Sequence, residues 1–195
     1  MNYIFNSSNL RKNKAVRALS AKEQQDFTDY LTSLDVNSQA YKNVFLIQMY
    51  MGLRLGEVLA LRNSDIDLKH DLMKVEKTLT TNKDGNVVMR NLTKPYGGNR
   101  DLLIPPHLKP FILEQLEIGK NNNERHLFLK SNGDYVDSRI VNKTLRNMLK
   151  ENFDIDDIST YSLRKTYKAR CIESGMNPVA LQRLMGCTRL QDEER

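Results

Sequence analysis

The stretch YKNVFLIQMYM, residues 41–51, most constrains what this chain can fold into. A helix over roughly 40–51 carries Val44, Phe45, Ile47, Met49 and Tyr50, which leaves it almost no polar face. Such a helix has nothing to turn toward water and has to stand at the centre of a fold. Gly52 suits its C-terminal stop. The rest of the chain must then wrap it with amphipathic layers.

Those layers are legible. The sequence SAKE sets a capping box, Ser20 and Glu23, before a helix whose face is Phe27, Tyr30, Leu31 and Leu34. A short helix runs through Glu57 and Leu61, and the period then changes after Asp67. LMKVEKTLT alternates as a strand does, NKDG is a turn, NVVMRNLT is a second strand and RDLLIP a third. The loop KPYGGN, beginning at Lys94, joins the last two. Helical patterns resume at about 106–118 and at 138–150, where Ser138 caps a face of Val141, Leu145, Met148 and Leu149. Ser159 or Thr160 caps a helix through Cys171 that Gly175 terminates. Asn177-Pro178 opens a last helix and Gly186 closes it. The fold class is therefore α+β and mostly helical, with a small three-stranded antiparallel sheet. Residues 1–18, with Arg11, Lys12, Lys14 and Arg17 but little periodicity, are expected to be a linker or N-terminal extension.

At 195 residues the chain can bury a real core. No run of about eighteen apolar residues predicts a membrane span, and residues 1–20 have no apolar secretory core. Cys171 and Cys187 make no metal-ligand pattern, so a reduced, cytoplasmic setting is expected. Thirty Lys and Arg against twenty-four Asp and Glu leave a net charge of +6. That excess fits either a polyanionic partner such as nucleic acid or a merely lysine-rich surface.

Chemistry narrows the choice. Arg54 opens a helix just after a helix stop, where unpaired N–H groups already favour an anion. Arg164 is expected in the first turn of the TYSLRKTYKAR helix, the same kind of location. Two guanidiniums and Lys94 on a hairpin could converge on one phosphate, which arginine grips bidentately at any working pH. Glu57, three residues from Arg54, would orient it. Any one arginine taken alone is more readily read as a surface residue paired with a nearby carboxylate.

The order of these segments is more telling. GLRLGEVLALRNSDID, a small sheet with a lysine turn, YSLRKTY and LQRLMGC together resemble the catalytic domain of the tyrosine recombinase (phage integrase) family. The resemblance runs from about Ala18 to Leu190. It implies that Arg54 and Arg164 clamp the scissile phosphate, that Glu57 supports Arg54, and that Lys94 protonates the leaving 5′ oxygen. Such cations stabilise the charge that phosphoryl transfer concentrates on the non-bridging oxygens. Lys165 joins Arg54, Lys94 and Arg164 as an expected DNA contact.

Three departures from the family pattern stand out. Tyr161 takes the first histidine of the H-x-x-R box; it can donate a hydrogen bond but shuttles protons poorly at neutral pH. Cys187 takes the histidine of the L-G-H box and is readable as a weak phosphate donor or as a small buried apolar residue. The family's nucleophilic tyrosine stands about nine residues past that box, which places it just beyond Arg195. None of residues 188–195 is a tyrosine.

The resemblance thus implies a catalytic domain over 19–195 of a site-specific recombinase (integrase) that cuts and rejoins duplex DNA through a 3′-phosphotyrosine, here without its nucleophile. An alternative is a non-cleaving DNA-binding relative with a regulatory role. Expected catalytic residues are Arg54, Lys94, Tyr161, Arg164 and Cys187. Neither cofactor nor metal is implied. Duplex DNA is the expected partner, with further copies of the chain on synapsed DNA and a monomer without it.

Overall fold

The computed structural model describes residues 16–35, 41–92, 98–120 and 126–187. Helix α1 (Ala21–Ser33) begins with the expected capping box: Glu23 N donates to Ser20 Oγ at 3.2 Å and Ser20 N to Glu23 Oε2 at 2.7 Å. Helix α2 (Lys42–Met51) is the central element, and every residue in it except Tyr50 is buried. Its polar members are satisfied rather than solvated. The Lys42 ammonium reaches Leu34 O at 2.7 Å and Glu114 at 3.2 Å, while the Asn43 amide donates to Glu114 and Gln115. Gly52 ends the helix at φ 67°, the left-handed conformation that glycine adopts without a Cβ penalty.

Around α2 pack α1, the short α3 (Leu55–Leu59), α4 (Lys109–Gly119) and α6 (Thr160–Glu173). Helix α4 follows a 3-10 turn, Pro106–Leu108, so the pattern expected from 106 forms in two pieces. Helix α5 (Ser138–Phe153) buries Val141, Leu145, Met148 and Leu149 as expected, although Asp137 caps it rather than Ser138. Ser159 caps α6, and Asn177 caps α7 (Pro178–Met185) by accepting from Val179 N and Ala180 N. Gly186 closes α7 at φ 61°.

The strands form, with one change of pairing. The first expected strand divides at Glu76 into β2 (Leu72–Val75) and β3 (Lys77–Thr81). β2 lies between β1 (Ile66–Asp67) and β5 (Arg100–Leu103), giving a three-stranded antiparallel sheet with Met73 opposite Leu102. β3 pairs instead with β4 (Val87–Asn91), Leu79 opposite Met89. Met73, Val75 and Leu79 are buried across the break, so the alternation is continuous although the partner is not. Alternation records which face a side chain takes and carries no information about which strand lies alongside. Helix α3 sits directly on β3: a Cβ at Gly56 would lie 2.4 Å from Leu79 O.

No helix among the described residues is long and apolar enough to cross a membrane. Among the same residues, no cluster of three His, Cys, Asp or Glu side chains is placed to hold a metal.

Candidate active site

The left-handed turn at Gly52 throws the chain out of α2, through buried Leu53, to Arg54 in extended backbone at the N-cap of α3. One turn on, Glu57 turns back. Its Oε2 accepts from Arg54 N at 2.9 Å and its Oε1 from Arg54 Nη1 at 3.0 Å. The carboxylate is fully buried, whereas the arginine side chain is 43% exposed. A capping carboxylate of this kind satisfies a helix-start N–H and orients the charged side chain at once.

A second arginine holds the same carboxylate. Arg100, at the start of β5, donates from Nη2 to Glu57 Oε2 at 2.8 Å and from Nη1 to Oε1 at 3.2 Å. Burial pushes the Glu57 carboxyl up, but the bonds and charge of Arg100, with the charge of Arg54, outweigh it and hold the group below the usual carboxylate range. Reading the sequence did not single out Arg100, since one charged residue at the edge of RDLLIP gives no hint of where it reaches.

Arg164 is the fifth residue of α6, beyond the helix start, and is not at an open surface: it is 1% exposed. Its Nη1 donates to Gly52 O and its Nη2 to Met185 O at 2.7 Å. It nonetheless shares one cavity of about 260 Å³ with Arg54, and Gln48, Leu55, Thr160 and Tyr161 complete the lining. Gln48 was also missed. Its Nε2 lies 3.4 Å from Leu53 O, and its buried Oε1 has no hydrogen-bond partner among the described residues.

The end of α7 is gripped by three arginines in succession. Arg100 Nε donates to Leu184 O at 2.7 Å, Arg164 Nη2 to Met185 O at 2.7 Å and Arg54 Nη2 to Gly186 O at 3.0 Å. These are carbonyls at the partly negative end of a helix, a natural seat for cations. Cys187 follows directly. Its thiol approaches Gln182 O at 3.8 Å and packs with Cys171, Leu181 and Met185, so it stands beside the cavity and is not among the residues lining it.

Lys165 does not extend into open space. Its ammonium donates to Val16 O at 3.0 Å and lies over the Tyr161 ring at 5.3 Å. Lys94 falls outside the described residues. A further basic surface adjoins the cavity: Arg139, Lys143 and Arg146 are exposed along one side of α5. Asn142 on that helix accepts from both Thr160 N and Thr160 Oγ1, tying α5 to the cavity wall.

A central buried helix wrapped by other helices, a small three-stranded antiparallel sheet, and Arg54 and Arg164 lining one cavity define the arrangement. The model of the phage integrase family matches residues 10–192. A probable integrase/recombinase of Acholeplasma phage L2 is 25% identical over 155 residues, covering 80% of this chain and 47% of that protein. A tyrosine recombinase of Thermosipho africanus is 25% identical over 206 residues, covering 97% of this chain and 64% of its own length. The chain therefore spans about half to two thirds of these relatives. Among solved structures, the Tn1549 transposon integrase in complex with transposon right-end DNA superposes with a TM-score of 0.76 at 20% identity, over 90% of this chain and 59% of that one. The chain belongs to the phage integrase family, and its fold is that of the tyrosine recombinases.

Proposed function

We propose that residues 19–195 are the catalytic domain of a site-specific recombinase that cuts and rejoins duplex DNA, preceded by a linker over 1–18. The observation that carries this reading is the shared cavity of Arg54 and Arg164, with Glu57 fixed behind Arg54. A guanidinium offers five N–H groups, so one arginine can be fixed by carbonyls and still face a phosphate. In this reading the two clamp the scissile phosphate and offset the charge that grows on its oxygens as the bond to the leaving oxygen breaks. Tyr161, on the cavity wall, hydrogen-bonds a phosphate oxygen, and Lys94 protonates the 5′ oxygen as it leaves. None of residues 188–195 is a tyrosine; where the family's tyrosine attacks, the 3′ phosphate is left joined to it and the 5′ oxygen departs. The exposed Arg139, Lys143 and Arg146 of α5 face the flanking duplex, where cationic side chains replace condensed counterions. Further copies of the chain join on synapsed DNA.

The names of the relatives and the DNA in the Tn1549 complex support the substrate class. One observation favours a second reading, a relative that binds recombination sites without cleaving them. Tyr161 and Cys187 stand where the family has histidines, and the Cys187 thiol is turned to a helix carbonyl.

A nicked suicide duplex, whose cut strand diffuses away, separates the two readings. A longer form that carries the attacking tyrosine should trap a covalent DNA adduct, whereas residues 1–195 alone should bind without trapping. Tyr161→Phe in the longer protein should slow adduct formation without abolishing it, since it removes a hydrogen bond and not the attacking oxygen. Salt-sensitive binding with no adduct from the longer protein would select the non-cleaving reading; no binding at low salt would sink both.

A further inference from the structure

We infer that Arg100 is a positioning residue for the Arg54 phosphate clamp, acting through the carboxylate of Glu57 and the end of α7. The inference rests on the reading of the shared cavity as a phosphate site. It concerns a residue that is not among those lining the cavity.

The geometry is a two-sided brace. Arg54 and Arg100 lie on either side of Glu57, each donating to both carboxylate oxygens when backbone donors are counted. Each then reaches α7, Arg100 at Leu184 O and Arg54 at Gly186 O. Arg100 also donates to Gly98 O at 3.3 Å, which fixes its own approach to β5. The Arg100 side chain is 7% exposed and Glu57 is sealed, while Arg54 is 43% exposed on the cavity side. The inner arginine therefore serves the buried partner, and the outer one is left to face a ligand.

The charges make the brace necessary. A carboxylate removed from water is costly unless cations and donors replace the lost hydration. The groups facing Glu57 are Arg54 at the N-cap of α3 and Arg100 from β5. With Arg100 neutralised, one half-exposed arginine would have to keep the carboxylate ionised. Burial would then raise its pKa, and on protonation Oε1 and Oε2 would no longer both accept from Arg54. Arg54 Nη1 would lose the charged partner that aims it. A lysine at 100 would restore a charge but could not reach Glu57, Leu184 O and Gly98 O together, because its ammonium is a single point on a flexible stem.

The test uses the chain with its arginine Nε sites isotopically labelled, and inorganic sulfate as probe, since sulfate keeps its charge across the pH range used. In the wild type, sulfate should shift the Arg54 and Arg164 Nε–H resonances with an affinity nearly constant from roughly pH 8 down to pH 5.5. If it shifts neither, the phosphate-site reading itself fails, whatever Arg100 does. Arg100→Gln should weaken sulfate binding about tenfold at the acid end and only about threefold at the alkaline end, as Glu57 regains its charge. Arg100→Lys should fall between the two at every pH. The proposal is overturned if either folded variant keeps wild-type affinity and profile, or loses affinity equally at all pH values. Failure of both variants to give a cooperative melt would also overturn it, by making Arg100 a folding residue alone.

Discussion

The ring of Tyr167 stands against the Cα of Gly52. A Cβ built on Gly52 would lie 2.3 Å from Tyr167 Cδ1, and the glycine already holds φ 67°. The same glycine presents its carbonyl to Arg164 Nη1. One residue thus ends the central helix, seats an aromatic ring of α6 and anchors an arginine of the cavity. Burial pushes the hydroxyl of the partly buried Tyr167 well above the usual phenol range.

Gly52→Ala should consequently be among the most damaging single-methyl changes in the chain. Left-handed backbone costs alanine about 1 kcal/mol, and forcing the ring aside adds about 1–3 kcal/mol. Thermal unfolding should show a fall of roughly 5–15 °C. A midpoint within a degree of wild type would mean that Tyr167 yields freely.

Glu57→Gln tests the carboxylate that both arginines share. Removing one partner of a buried charge cluster costs about 3–5 kcal/mol, and glutamine keeps an acceptor, so a loss of about 2–4 kcal/mol is expected from urea unfolding. Glu57 is ionised more readily in the folded state than in the unfolded chain. Its contribution is therefore complete above the ordinary carboxylate pKa of about 4.3 and disappears as pH falls through the lower folded value. The variant should lose that part of the acid limb, which a pH series of unfolding curves would reveal.

A second acid-sensitive tie lies at the start of the described chain. Arg17 donates to both oxygens of Glu23 and, from Nε, to Asp157 at 2.7 Å, joining α1 to the segment before α6. The Arg17 bond holds the Glu23 carboxyl down at about 2 against the opposing effect of burial. Its stabilisation is present above the usual carboxylate pKa and is lost between there and about 2. With Arg17 partly exposed, the effect should be only about 1 kcal/mol. Arg17→Gln should flatten stability in that window while leaving the neutral-pH fold intact, as circular dichroism would record.

The basic side of α5 should reveal itself through salt. Duplex affinity should fall steeply with ionic strength, and replacing Arg139, Lys143 and Arg146 together by alanine should reduce the slope of log K against log salt by about two to three. Lys120→Ala, at an exposed ion pair with Glu117, should leave the slope nearly unchanged. Equal slopes for both proteins would remove α5 from the interface.

What could be read from the sequence is what neighbours along the chain decide. The Ser20–Glu23 box, the Gly52 and Gly186 stops, the buried α2 and the Arg54–Glu57 pair all depend on spacings of a turn or less. Helix geometry converts such spacings directly into contacts, so they hold before any packing is known. Three strand stretches were legible as strands, but not the two-residue β1 that completes the sheet, nor the change of partner at Glu76, because alternation is blind to the neighbouring strand. Arg100 meets Glu57 across 43 positions and Leu184 across 84, while Arg164 meets Gly52 across 112. Those distances close only when α2, α3, β5, α6 and α7 pack together. The tertiary structure alone therefore decides that one arginine faces the cavity half-exposed, another lies buried in its wall, and a third is spent behind them holding the carboxylate.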